Sequence, residues 1–199
     1  MSELQSLLPE GTRGRVLRAA LELFSEYGFY GASIRDIAAN AGIKSATLYA
    51  HYPSKEHILA ELVRLGHELL YDRLRQAVVR SGSSPADQLR ALVRSDVLAH
   101  CEFPQLAIVA NNDLHALSPE QAASAIALRR QAHQLVMDVI DHGVKTGDFK
   151  VPDTFLVATA LGSMGMRVAY WYHPELKTAE QVADSYADLA LRMVGHPVP

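Results

Sequence analysis

Apolar side chains recur every three or four residues along almost the whole chain, and the breaks in that rhythm fall at glycine, proline and capping residues. Val16, Ala20, Leu23, Phe24 and Tyr27 share one face of a helix over 13–27, with Arg13, Arg15 and Arg18 off that face and Thr12 placed to cap it. Two shorter helices are predicted next. The first starts after Ser33, which stands three residues before Asp36 as in a capping box, and turns Ile34, Ile37 and Ala38 inward. Ala41-Gly42 ends it, because glycine takes the left-handed conformation at little steric cost. The second runs from Ser45 to His51 and stops at Tyr52-Pro53, since the residue before a proline is pushed out of the helical region.

After Pro53, Ser54 caps a long helix to Arg80 with Ile58, Leu62, Leu65, Leu69 and Leu74 inward, and Ser81-Gly82-Ser83-Ser84 is a linker. Ser84-Pro85 with Asp87, Ser118-Pro119 with Gln121, and Thr178 with Gln181 set a cap and an acceptor at the expected spacing. They place helices at 85–101, 104–115, 119–145, 153–172 and 178–194. Residues 1–11 read as a frayed arm, and Gly28-Phe29-Tyr30-Gly31 as a loop. No stretch alternates with period two, so the expected fold is all-α, with about nine helices.

Composition narrows the setting. Of 199 residues 49% are hydrophobic, enough for a real core, and the single cysteine, Cys101, excludes an internal disulfide and any cysteine-cluster metal site. No apolar run reaches the roughly 18 residues of a membrane span, and no signal pattern opens the chain, so a cytoplasmic protein without membrane association is expected. The net charge of −3 is uneven: residues 1–80 carry 10 Lys+Arg against 9 Asp+Glu, the rest 9 against 13. A basic footprint in the first part is compatible with that balance.

The stretch 33–55 has the layout of a helix-turn-helix, with hydroxyl, aromatic and basic groups crowded on its second helix. A helix in the major groove reads base edges with its exposed N-terminal half while flanking donors hold phosphates. Ser45, Thr47, Tyr49 and His51 supply hydroxyls and a ring, Ala46 and Ala50 allow close approach, and Leu48 belongs to the core. Arg35 has two readings, a fork onto guanine or a phosphate contact, and Lys55 suits phosphate by its charge. His51 also reads as a packing histidine, and Tyr52 as structural.

SIRDIAANAGIKSATLYAHYPSKEHIL, preceded by AALELFSEYGFYGAS, resembles the DNA-binding region of the tetracycline-repressor (TetR) family of transcriptional regulators. Phe24, Gly28, Ile37-Ala38, Ala41-Gly42, Thr47-Leu48-Tyr49, His51-Tyr52 and Ser54-Lys55 carry the likeness. It implies a DNA-binding domain over 1–53 and a helical ligand-binding and dimerisation domain over 54–199, bound to double-stranded operator DNA and to a small-molecule effector. It assigns Ser33, Thr47, Tyr49, His51 and Lys55 mainly to the DNA backbone, and Arg35, Ser45, Ala46 and Ala50 to the base-facing surface. Lys44 stands where the family usually has a serine or threonine cap, which leaves the first residue of the reading helix, Lys44 or Ser45, open.

A palindromic site needs two copies of such a helix. The small-residue stripe Ala158, Gly162, Gly165 and Ala169, with Val182, Tyr186, Leu189 and Met193 on the last helix, is the expected homodimer interface; burial within the subunit is the alternative. An apolar or amphipathic effector would meet Tyr71, Phe103, Leu106, Val109, Asn112, His133, Met137, Met164, Arg167 and Trp171, all of which also read as core. Leu128-Arg129-Arg130, Gly147-Asp148-Phe149 with Asp153, and Trp171-Tyr172-His173-Pro174 are similar to the TetR branch that controls lipid or steroid breakdown and responds to acyl-CoA thioesters. Asp138 and His142 have the spacing of a metal pair but no third ligand, and neither a phosphate loop nor a nucleophile motif is present, so no enzyme and no cofactor are expected. A helical adaptor binding only protein is the alternative function.

Overall fold

The computed structural model describes residues 7–197. Among them the helices are α1 (Gly11–Gly31), α2 (Ile34–Asn40), α3 (Ser45–His51), α4 (Lys55–Arg80), α5 (Pro85–Glu102), α6 (Pro104–Asn112) with a 3-10 turn (Asp113–Ala116), α7 (Pro119–Thr146), α8 (Thr154–Trp171) and α9 (Ala179–Met193), and no strand occurs. The local signals work as chemistry demands. Ser84 accepts from the Asp87 amide with Pro85 in the first turn, and Thr178 and Gln181 exchange both bonds of a capping box. Ser118 and Gln121 do the same, at 3.3 and 3.4 Å.

Three local expectations are corrected. Thr12 does not cap α1; it lies within the helix, where its hydroxyl accepts from Arg15, and Glu10 holds the cap position without a side-chain bond. The expected loop at 28–31 is a kink: Gly28 alone leaves helical geometry, at φ 72° and ψ 168°, and a further helical turn follows. Of the expected arm, residues 1–6 lie outside the described residues, whereas Leu8 is buried and the Pro9 carbonyl rests against Gly14.

Packing divides the chain into two units. The first takes the chain up to His67 together with Gln105–Ile126; the second takes Glu68–Pro104 and everything from Ala127 on. Within the first unit Ile58, Leu59, Leu62 and Val63 of α4 are fully buried, and Gly66 lies directly against Ala110 and Leu106. In the second unit α5 pairs with α9. Leu89 and Leu92 share a core with Ala190, Leu191, Ile140 and Phe149, while Val97 and Cys101 meet Val168, Val182 and Ala183. Arg90–Asp188, at 2.7 Å, and Arg94–Asp184 rim that pair. Such half-exposed ion pairs add little stability beside the apolar burial.

In the second unit two glycines are required by packing. Gly165 of α8 faces the Asp96 carboxylate of α5, leaving no room for a Cβ; burial raises the Asp96 pKa, and neighbouring His100 opposes that shift. Gly143 of α7 lies under the Phe149 ring after the chain reverses through Gly147, at φ 83°. The Phe149 amide bonds back to the Gly143 carbonyl at 3.0 Å, and the ring edge meets His196. Gly143→Ala gains about 1 kcal/mol of helix propensity but overpacks a ring held on two sides, a cost of about 1–3 kcal/mol. A lowered thermal midpoint by circular dichroism is expected; an unchanged or raised one shows that the ring can move aside.

Candidate nucleic-acid interface

The helix-turn-helix is built by short-range chemistry. The Ser33 hydroxyl accepts from the Asp36 amide at 3.2 Å and donates to the Asp36 carboxylate at 2.5 Å, which in turn accepts from the Ser33 amide. At the other end of α2, Gly42 takes φ 66°, and the Ile43 and Gly42 amides bond to the Ala38 and Ala39 carbonyls. This is a Schellman closure, and it reverses the chain between α2 and α3. Lys44 then occupies the cap position without a side-chain bond, and its carbonyl accepts from the Thr47 and Leu48 amides. Ser45 is therefore the first residue of α3, which settles the register left open by the sequence.

Inward and outward sides of α3 are sharply separated. Leu48 is fully buried, whereas Ala46, Thr47, Tyr49, Ala50 and His51 are exposed, Tyr49 by 53%. Ser45 is half-buried, and Ser33, Arg35 and Lys44 are exposed. His51 thus lies at the surface, not in a core. Tyr52 is structural: it is buried, with the Arg13 guanidinium 4.8 Å from its ring centroid and Arg13 paired to Glu61 at 2.6 Å. Burial first and the Glu61 carboxylate next push the Tyr52 hydroxyl pKa up.

Lys55 is bonded within the protein. Its ammonium donates to the carbonyls of Phe29, at 2.7 Å, and Ala32, at 2.8 Å, and lies 4.1 Å from the Phe29 ring centroid. Two of the three ammonium N–H donors are thus held by carbonyls within the protein, beside an aromatic face.

Comparison with known proteins decides the family. Residues 16–62 match the family described as bacterial regulatory proteins, tetR family, and residues 82–194 match the tetracyclin repressor-like C-terminal domain. The chain belongs to the TetR family. It is 31% identical over 190 residues to the HTH-type transcriptional repressor KstR2 of Rhodococcus jostii, covering 94% of this chain and 93% of the relative. A bacterial regulatory protein of the tetR family from Rhodococcus RHA1 superposes with a TM-score of 0.90 at 29% identity, over 96% of this chain and all of that one. The ketosteroid transcriptional regulator KstR2 of Mycobacterium tuberculosis does so with 0.84 at 28%, over 92% and 95%.

The other TetR-type candidates are less unified. Of the expected effector contacts, Leu106, Val109 and Asn112 belong to the first unit and the remaining seven to the second. Leu106 and Val109 are core residues, and Phe103 is buried under Arg73, 5.1 Å from the ring centroid. His133 meets Thr159 at 3.2 Å and the Phe155 ring, Arg167 covers Tyr170, Trp171 stacks on Tyr186, and Tyr71, Met137 and Met164 are half-buried. Asp138 accepts from Gln134 and Asp141 from Thr154.

In the expected dimer stripe, Ala158, Gly165, Ala169 and Val182 are buried inside the subunit, because α8 turns its small residues onto α5 and Asp96. Gly162, Leu189 and Met193 do face outward, and Tyr186 is half-buried. Outward too are Phe155 and Leu156, 57% and 61% exposed, which sequence reading passed over although their spacing from Thr159 and Gly162 on α8 pointed to them.

The capping box gives the reading head a pH dependence. Asp36 ionises below the ordinary carboxylate range because the Ser33 hydroxyl and then the Ser33 amide bond to its charged form. A folded-state pKa below the unfolded one adds stability that is complete above the ordinary carboxylate range and is lost as pH falls through the lowered value. Carbon-detected NMR titration is expected to find the Asp36 midpoint below that of a model peptide and, in Ser33→Ala, shifted back toward it.

Proposed function

We propose that the chain is a transcriptional repressor that binds a two-fold symmetric operator as a homodimer and is released by an amphipathic small molecule. The observation that carries this is the outward row of α3, where small, hydroxyl and aromatic side chains are exposed opposite a fully buried Leu48. Its first turn, with Ser45 and Ala46, enters the major groove together with Arg35; Lys44, Thr47, Tyr49 and His51 hold the phosphates. The DNA-binding part spans 1–53 and the effector and dimer part 54–199.

The exposed Phe155, Leu156, Leu189 and Met193 of α8 and α9 form the contact with the second copy. They are apolar groups on adjacent elements with no cover in one subunit. For the effector we favour a coenzyme A thioester of a lipid or steroid acid. The KstR2 relatives support that class, one of them being described as a ketosteroid regulator. Effector and operator then bind antagonistically, and each weakens the other by the same factor, typically about 5–150-fold.

Three measurements test the proposal. The wild-type chain should enrich a palindrome from a random DNA pool. Against that palindrome, Tyr49→Ala should weaken binding of every sequence variant, Lys44→Gln should lower the salt slope by about 1, and Ser45→Ala should change base preference. Failure of Tyr49→Ala to alter affinity would overturn the docking. Calorimetry with a panel of acyl-CoA thioesters, including polycyclic ones, is expected to find a binder that releases the DNA; binding confined to free sugars or planar drugs rejects the class. Sedimentation should show a dimer at micromolar concentration that Leu189→Glu with Met193→Glu converts to monomer. A wild-type monomer refutes the interface.

A further inference from the structure

Within the packing of α5 on α8 stands a carboxylate without a donor. Asp96 reaches so close to Gly165 that its Oδ2 fills the space where a Cβ would be, and 18% of its side chain is exposed. Among the described residues no N–H or O–H donates to either carboxylate oxygen; the Nδ1 of His100, one turn on, stands 3.6 Å from Oδ1, beyond a hydrogen bond. The arginines of α5 do not serve it, because Arg90 is paired with Asp188 and Arg94 with Asp184 of α9. His100 itself is 2% exposed. Its Nδ1 lies 2.7 Å from the Asp96 carbonyl oxygen, so that nitrogen carries a proton and donates, and in the neutral ring Nε2 remains an acceptor with no partner among the described residues. All three residues belong to the second unit. Two acceptors taken out of water without a donor cost stability, and Gly165, which admits the carboxylate, costs helix propensity as well. Folding alone gains nothing from this arrangement.

We infer that Asp96, with His100 beside it, is a binding site for a hydroxyl carried on the otherwise apolar part of the effector, the hydroxyl donating to the Asp96 carboxylate. The inference rests on the proposed effector-responsive function and supplies the polar anchor for its ligand. One helical turn to either side, α5 and α8 contribute Leu92, Val93, Leu161 and Val168 to the apolar cores, so the carboxylate is a single polar point in an apolar surround. A bare hydrocarbon leaves both acceptors unpaired, whereas a hydroxyl satisfies the charged one. A site built in this way rejects the ligand that lacks the group more strongly than an apolar pocket rejects an added one. An anionic group meets repulsion from the carboxylate, so the phosphates of a coenzyme A thioester lie away from it. A keto oxygen, which only accepts, is disfavoured against the ionised carboxylate.

The test uses the full-length chain and calorimetry with sets of fatty and polycyclic acyl-CoA thioesters whose members differ only in being deoxy, hydroxylated or keto at one carbon. The parent should bind one hydroxylated member at least about tenfold more tightly than its deoxy twin, and Asp96→Ala should bind the two alike. Equal affinities throughout the sets, a preference for the keto member, or a hydroxyl preference that survives Asp96→Ala each overturn the inference. Where Asp96→Ala fails to fold, Asp96→Asn, which keeps the shape and loses the charge, carries the decision by losing most of the preference. A readout independent of any ligand is the thermal midpoint of the free chain. Asp96→Asn removes an unpaired buried charge and should raise that midpoint by about 3 °C, whereas a lowered midpoint shows that the carboxylate serves the packing of α5 on α8 and overturns the site. If no thioester binds but a free hydroxylated acid does, and Asp96→Ala abolishes that binding, the coenzyme A class fails and the site stands. A chain that binds neither thioesters nor free acids overturns both.

Discussion

Two helices of seven residues each carry the reading surface, and neither can stand alone. Isolated helices below about 12–15 residues are marginal in water, because the first turn fixes several dihedrals for one hydrogen bond. What stabilises α2 and α3 is the burial of Ile37, Ala38, Leu48 and Tyr52 as the two pack on α1 and on each other, closed at the ends by the Ser33–Asp36 box and the Gly42 reversal. Because every inward position is committed to that burial, the outward row of α3 has one orientation. A site on a scaffold so constrained is positioned better than one on a loop.

The same economy limits the electrostatics. Arg13 is paired to Glu61, and the Lys55 ammonium is taken up by two carbonyls and a ring, which leaves Arg35 and Lys44 as the exposed cations on the two short helices and their flanks. With an overall charge of −3, long-range attraction to DNA is weak. In the proposed docking, neutral donors, the hydroxyls of Thr47 and Tyr49 among them, therefore have a larger share in fixing the register, and two copies of the head matter more than the charge of either.

What could be read in the sequence was local. Ser33 with Asp36, Thr178 with Gln181, and Gly42 each act within a few residues, so their spacing alone specifies the bond that forms, and the helix ends follow. What could not be read depends on a distant neighbour. The stripe at Ala158, Gly165 and Ala169 has the spacing of a close helix contact, but period says nothing about which helix approaches, and here it is α5, bringing Asp96. Lys55 has the position and charge of a phosphate ligand, and its spacing does not tell that the chain beyond the kink at Gly28 presents the Phe29 and Ala32 carbonyls to it. The effector contacts were the least legible for the same reason: apolar residues at helical spacing, such as Leu106 and Val109, look alike whether they line a cavity or fill a core.

These constraints converge on α4. It is one continuous helix from Lys55 to Arg80, and its residues are divided between the two units, Ile58 to Val63 in the first and Leu74 in the core of the second. Its first residue, Lys55, bonds to the Phe29 and Ala32 carbonyls, so the start of α4 and the corner before α2 are held together within the first unit. Moving the first turn of α4 breaks two hydrogen bonds to backbone carbonyls, one of them at the buried Phe29, and that cost keeps the entry of α2 in place.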